Sequence, residues 1–225
     1  MMAMKEIAKT IKGRRCFFFL EEKEAPAVLL VGFEEEVRPV YSAIKERYKE
    51  PFHLIAVCPS SWNDDLTPWK AQAIFKGPDF GGKADEFLNV LDAVKEELKG
   101  VPISSLAIAG YSLAGLFAVY AAYKRDCFDA VLSGSGSFWY PDFVSFCKAN
   151  ALSSNLSYAA FSLGKKEPNA KGMMSVVGEK TQELVGILTD SGIQTSFVWN
   201  EGGHFNEPEK RMASLIADYF LRLRI

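Results

Sequence analysis

Three side chains in this sequence have the types that nucleophilic acyl chemistry requires: Ser112, His204 and Glu167. A serine hydroxyl attacks a carbonyl efficiently only when a base takes its proton, an acid orients that base and donors receive the oxyanion. Ser112 lies in the stretch from Ser105 to Tyr123, "SLAIAGYSLAGLFAVYAAY", where a short strand-like apolar run gives way to helical spacing. Gly110 and Ala114 flank it at two residues on either side. Small residues belong there when strand and helix backbones nearly touch around an exposed serine. The five-residue pattern alone is weak; the strand before it and the helix after it give it weight.

The base has two candidates, because the chain contains 2 histidines. His53, in "FHLIAVC", reads as a half-buried strand residue. His204 lies in "NEGGHFNEPEKR", between the last predicted strand and the last predicted helix, where Gly202 and Gly203 allow unusual backbone angles. The orienting acid belongs in the loop after the penultimate strand, "KKEPNAKG", whose carboxylate is Glu167. A solvated surface glutamate is the competing reading there; Glu201 and Asp190 are the fallbacks, and Asp142 comes too early in the chain. For the oxyanion, one donor is the backbone N–H of Leu113 at a helix start, and the second is Phe33, just beyond Gly32. The acidic run Glu34 to Glu36 that follows suits the positive end of a helix.

The elements that must position these groups alternate along the chain. Buried-strand runs are predicted at Cys16–Leu20, Ala27–Val31, His53–Cys58, Ser105–Ala109, Ala130–Leu132, Tyr158–Leu163 and Thr195–Trp199. Helical periodicity covers Val37–Lys49, Ala84–Leu98, Leu113–Lys124, Met173–Ser191 and Pro208–Arg222. Such alternation predicts an α/β domain spanning 1–225, with a mostly parallel central sheet and helices on both faces. One connection is out of scale: residues 59–83, "PSSWNDDLTPWKAQAIFKGPDFGGK", are too long for an ordinary strand-to-helix loop and too aromatic for disorder. This loop is a candidate pocket wall. Trp62, Trp69 and Phe75 would supply apolar surface, and Asn63, Asp64 and Asp65 polar contacts suited to a cationic or hydroxylated substrate. Alternatively, the tryptophans only pin the loop to the body.

Composition narrows the function classes. Of 225 residues, 48% are hydrophobic and 24% charged, the balance of a globular protein, and a net charge of −2 gives no reason to expect a nucleic-acid partner. Cys16, Cys58, Cys127 and Cys147 are dispersed without C-x-x-C pairs or histidines at ligand spacing, so no metal site is expected and free thiols are. The N-terminal apolar run is too short for a signal peptide, and no stretch is long enough to span a membrane. A cytoplasmic protein with no membrane partner is the expectation, with self-association left open.

Several segments resemble a known family. In order, "GYSLAGLFAVYA", "SGSFWYPDF", "SLGKKE" and "GGHFN" are similar to the nucleophile elbow, following strand, acid loop and histidine loop of an esterase group of α/β hydrolases. That group includes esterase D and the enterochelin-type esterases, and the likeness runs from about Ala27 to the C-terminus. The resemblance implies a single-domain α/β hydrolase fold and cofactor-free, serine-dependent hydrolysis of small soluble carboxylic esters or thioesters. It implies Ser112 as nucleophile, His204 as base and Glu167 as orienting acid, although some relatives use serine and histidine alone. Two departures stand out: Ala114 replaces the usual elbow glycine, and no His-Gly pair precedes Phe33. A peptidase or acyltransferase would share the first chemical step, and a noncatalytic binding protein would share only the fold.

Overall fold

In a computed structural model, which describes residues 5–74 and 77–224, the chain builds one large sheet between two layers of helices. Strands β1 (Lys5–Ile11) and β2 (Arg14–Leu20) form an antiparallel hairpin around Lys12 and Gly13, both at positive φ. They are followed by β3 (Ala25–Val31), α1 (Glu34–Arg47), β4 (His53–Val57) and the short α2 (Trp62–Asp65). A two-stranded ribbon, β5 (Lys70–Ala71) and β6 (Phe80–Gly81), interrupts the long loop before α3 (Ala84–Glu97). The chain then alternates through β7 (Ile103–Tyr111), α4 (Leu113–Lys124), β8 (Ala130–Gly134), α5 (Phe143–Ala149) and β9 (Tyr158–Gly164). Helix α6 (Val177–Asp190), strand β10 (Gln194–Asn200) and helix α7 (Pro208–Arg222) complete it.

The sheet runs in the order β1-β2-β4-β3-β7-β8-β9-β10, antiparallel at the hairpin edge and parallel from β4 onward. Side chains alternate across a strand, so each central strand feeds two cores. In β3, Ala27, Leu29 and Val31 join the core shared with α3, α4 and α6, whereas Val28 and Leu30 join the one shared with α1 and α7. Both faces are covered, which explains why the strands read as continuous apolar runs. Helix α4 is apolar nearly all round, with residues 113–122 buried, because it lies at the centre of its layer. His53 is fully buried, its ring between the Glu21 amide and the Pro102 carbonyl.

The hairpin edge also anchors the long loop. Arg14 of β2 donates two hydrogen bonds, at 2.9 and 3.0 Å, to the Asp65 carboxylate. The same carboxylate accepts the backbone N–H groups of Ser60 at 2.8 Å and Ser61 at 3.2 Å. A buried carboxylate with four donors fixes the loop's entry point, and removing it leaves two amides and a guanidinium without their acceptor. Asp65→Ala is expected to lose about 2 kcal/mol of stability, measured as a lower urea midpoint.

Candidate functional site

The site is assembled at the C-terminal ends of the parallel strands. Ser112 closes β7 and caps α4 with φ 59 and ψ −124, a conformation that costs a non-glycine residue roughly 1–3 kcal/mol. Its own backbone bonds hold it there. The Ser112 N–H donates to the Gly134 carbonyl at 2.9 Å, and its carbonyl accepts from Leu116 and Ser137, each at 3.1 Å. The turn is tight: a Cβ at Gly110 would lie 2.3 Å from the Ala114 carbonyl oxygen. The methyl of Ala114 fits, since Ala114 is fully buried in the layer above the sheet.

The strain presents the Ser112 hydroxyl to His204, whose Nε2 lies 3.0 Å from Oγ. On the other side of the ring, Nδ1 is 2.8 Å from Glu167 Oε2. An ionised carboxylate can only accept, so the proton resides on Nδ1 and Nε2 accepts from the serine hydroxyl. Glu167 sits in a 3₁₀ turn (Glu167–Asn169) directly after β9 and is buried. Its Oε1 accepts from the Gly164 N–H at 2.6 Å and the Ser135 hydroxyl at 2.7 Å. Burial alone would raise the Glu167 pKa, but the hydrogen bonds from His204, Ser135 and Gly164 outweigh it and hold the carboxyl below its ordinary value. The His204 loop is shaped by Gly202, at φ 85 against Asn206, whose Oδ1 accepts the Gly203 N–H at 2.7 Å.

A cavity of about 770 Å³ opens over the serine. Trp62, Asn63, Ile74, Pro78 and Phe80 from the long loop form one wall; Trp139 and Val177 contribute elsewhere, with Phe205 at the rim. Leu113, at the N-terminus of α4, lines the floor beside Ser112, where helix-start N–H groups lack intrahelical acceptors. Ser135 and Ser137 also reach the cavity; Ser137 Oγ is 3.4 Å from Ser112 Oγ, and Ser135 has φ 45.

Four residues that the sequence nominates are placed differently. Asp65 is engaged by Arg14 and the Ser60 and Ser61 amides, and Asp64 turns to Lys83 at 3.2 Å, so neither faces the cavity. Trp69 donates its indole N–H to the Pro141 carbonyl at 3.1 Å among Tyr140, Phe143 and Phe146, pinning the loop rather than lining the pocket. With those carboxylates turned away, the basis for a cationic substrate disappears. The Phe33 N–H donates to Glu36 Oε2 at 3.0 Å, closing the first turn of α1, so it is not available to an oxyanion here. The Phe33 ring stacks on Trp62 with centroids 4.2 Å apart. Of the nominated substrate-binding residues, Trp62 reaches the cavity, joined by Asn63; Phe75 lies outside the described residues.

Two groups behind the relay, buried Arg211 and half-buried Tyr111, escaped the sequence reading. Arg211 of α7 approaches Glu167 Oε1 at 3.5 Å, and the Tyr111 hydroxyl donates to the His204 carbonyl at 2.6 Å. A signal for Arg211 existed: it occupies a core position in a stripe otherwise made of Met212, Leu215, Ile216, Tyr219 and Phe220. Among the described residues, no cluster of three His, Cys, Asp or Glu could hold a metal ion, and no helix is long and apolar enough to cross a membrane.

Comparison with known proteins fixes the fold class. No protein-family model matches the chain. The uncharacterized protein YbbA of Bacillus subtilis is 26% identical over 169 residues, covering 71% of this chain and 68% of that one. The structure of an IroE-like serine hydrolase from Shewanella oneidensis superposes with a TM-score of 0.79 at 15% identity, over 98% of this chain and 82% of that one. The enterobactin esterase FES from Shigella flexneri gives 0.73 at 19% identity, over 99% of this chain and 60% of the larger protein. The chain has the α/β hydrolase fold.

The depressed Glu167 pKa has a thermodynamic consequence. A carboxyl whose folded pKa lies below the unfolded value, about 4.3, adds stability above that value and loses it as pH falls through the folded pKa. Glu167→Gln is therefore expected to be less stable than wild type at neutral pH and to converge on it in acid, as measured by urea unfolding across pH.

Proposed function

We propose that the protein is a serine hydrolase that cleaves small carboxylic esters or thioesters through an acyl-enzyme on Ser112. The observation that carries this reading is the continuous relay from Ser112 Oγ to His204 at 3.0 Å and from His204 to Glu167 at 2.8 Å, with the serine on a strained turn at the cavity floor. Strain of that kind persists where surrounding structure enforces it, and it clusters at reactive sites.

In the proposed cycle Ser112 Oγ bonds to the substrate carbonyl carbon while its proton passes to His204 Nε2. Glu167 stabilises the resulting imidazolium, and the Leu113 N–H is the proposed donor to the oxyanion. Collapse breaks the ester or thioester bond, and His204 returns the proton to the leaving alkoxide or thiolate. Water then attacks the acyl carbon with His204 again as base, releasing the acid and restoring the Ser112 hydroxyl.

The walls select for an apolar or aromatic substrate, and both oxygens of the cavity's Glu167 are already engaged. Lys166 stands on the wall, so an anionic group is tolerated better than a cationic one. The neighbours' descriptions as a serine hydrolase and an enterobactin esterase support ester hydrolysis here. The reading includes a cytoplasmic location, supported by four cysteines that are all free.

A fluorophosphonate probe is expected to label the wild type stoichiometrically. Ser112→Ala abolishes the labelling, and His204→Ala, still folded by circular dichroism, loses at least about a thousandfold in hydrolysis of short p-nitrophenyl esters. Labelling that persists in Ser112→Ala refutes the assignment.

A further inference from the structure

Arg211 is almost completely buried, with its side chain 5% exposed, and the polar contacts of its guanidinium all go to groups around the proposed relay. One guanidinium nitrogen, Nη1, lies 3.5 Å from Glu167 Oε1 and donates to the Tyr111 hydroxyl at 3.1 Å. The other, Nη2, donates to the Glu201 carbonyl at 2.6 Å, three residues before His204. Tyr111, accepting from Arg211, donates its own O–H to the His204 carbonyl at 2.6 Å. Neither residue lines the cavity.

A buried guanidinium is costly unless charge and hydrogen bonds compensate it. The compensation here is specific. Tyr111 immediately precedes Ser112 on β7, Glu167 follows β9, and Glu201 begins the loop after β10. One planar cation from α7 thereby joins the strand that carries the serine, the turn that carries the acid and the loop that carries the histidine. A rigid fork of donors suits Arg for such bridging, where Lys would offer a single point charge.

Resting on the hydrolase reading above, we infer that Arg211 and Tyr111 are positioning residues that set the His204 ring between Ser112 and Glu167. Tyr111 tethers the histidine backbone, and Arg211 orients both Tyr111 and the Glu167 oxygen that faces away from His204. Their loss lets the histidine loop drift while leaving the cavity wall intact. The chemical step slows because His204 Nε2 no longer rests within hydrogen-bond reach of Ser112 Oγ, and substrate binding is unaffected.

The test compares Tyr111→Phe, Arg211→Lys and Arg211→Met in the full chain, by steady-state hydrolysis of a p-nitrophenyl ester and by the rate of fluorophosphonate inactivation. In inactivation the Oγ–P bond forms, fluoride leaves and the Oγ proton passes to His204, so its rate reports the nucleophile directly. Tyr111→Phe removes one oxygen and keeps the ring, and it is expected to lower kcat and the inactivation rate about tenfold with KM unchanged. Arg211→Lys, with one point donor in place of the fork, is expected to lose at least as much. If Arg211→Met fails to fold, Tyr111→Phe decides. Turnover and inactivation at the wild-type rate in Tyr111→Phe and Arg211→Lys, or a change confined to KM, overturns the inference. Failure of the probe to label the wild type, or labelling retained in Ser112→Ala, instead refutes the hydrolase reading itself.

Discussion

The contact on which the rest depends is the one between strand β7 and helix α4. A Cβ at Gly110 would sit 2.8 Å from the Ala114 methyl and closer still to its carbonyl, so chain reversal is completed within a single residue. That residue is Ser112, and its positive φ follows from having no room for a gentler turn. The sheet and the central helix supply the force that holds it, since α4 is buried on nearly every side and cannot retreat. A hydroxyl raised on such a turn stands clear of both elements, and the neighbouring strands need only bring their ends alongside.

They do so through parallel pairing. Because β7, β8 and β9 run side by side in register, Gly134 and Ser162 lie level with Tyr111, and the segments leaving these strand ends emerge around one point. Ser135 and Glu167 arrive from two successive strand ends, and His204 arrives from the loop after a third. The charges at this point are arranged to be self-consistent. Glu167 meets a histidine on one oxygen and an arginine with two further donors on the other, which is how an ionised carboxylate is kept inside a protein.

Much of this was legible in the residues. The central strands and long helices showed in the period of the apolar residues, because a parallel sheet buried on both faces leaves little ambiguity. Ser112, Glu167 and His204 could be paired in advance because chain order places each in its own strand-end loop. The first strand escaped because "KEIAKTI" lies at the sheet edge with most of its side chains exposed and carries no continuous apolar run. Asp64 and Asp65 misled for a physical reason: a carboxylate in a loop reads the same whether it faces a ligand or a neighbouring lysine or arginine. Phe33 misled because a helix first turn and an oxyanion hole call for the same free amide, and here Glu36 took it. Arg211 left a trace only as a charge within an apolar stripe.

The attachment of Asp65 to Arg14 has a consequence for recognition. Strand β2 is paired on both sides, to β1 and β4, so the wall containing Trp62 is hung from the sheet rather than from another loop. Its order is set when the chain folds, before any substrate arrives. Binding then spends little conformational entropy on shaping the cavity, and affinity is determined mainly by what the side chains along that wall offer. Substitutions at Trp62, Asn63 or Ile74 can therefore change what the cavity admits without touching the strand ends that hold Ser112, Glu167 and His204.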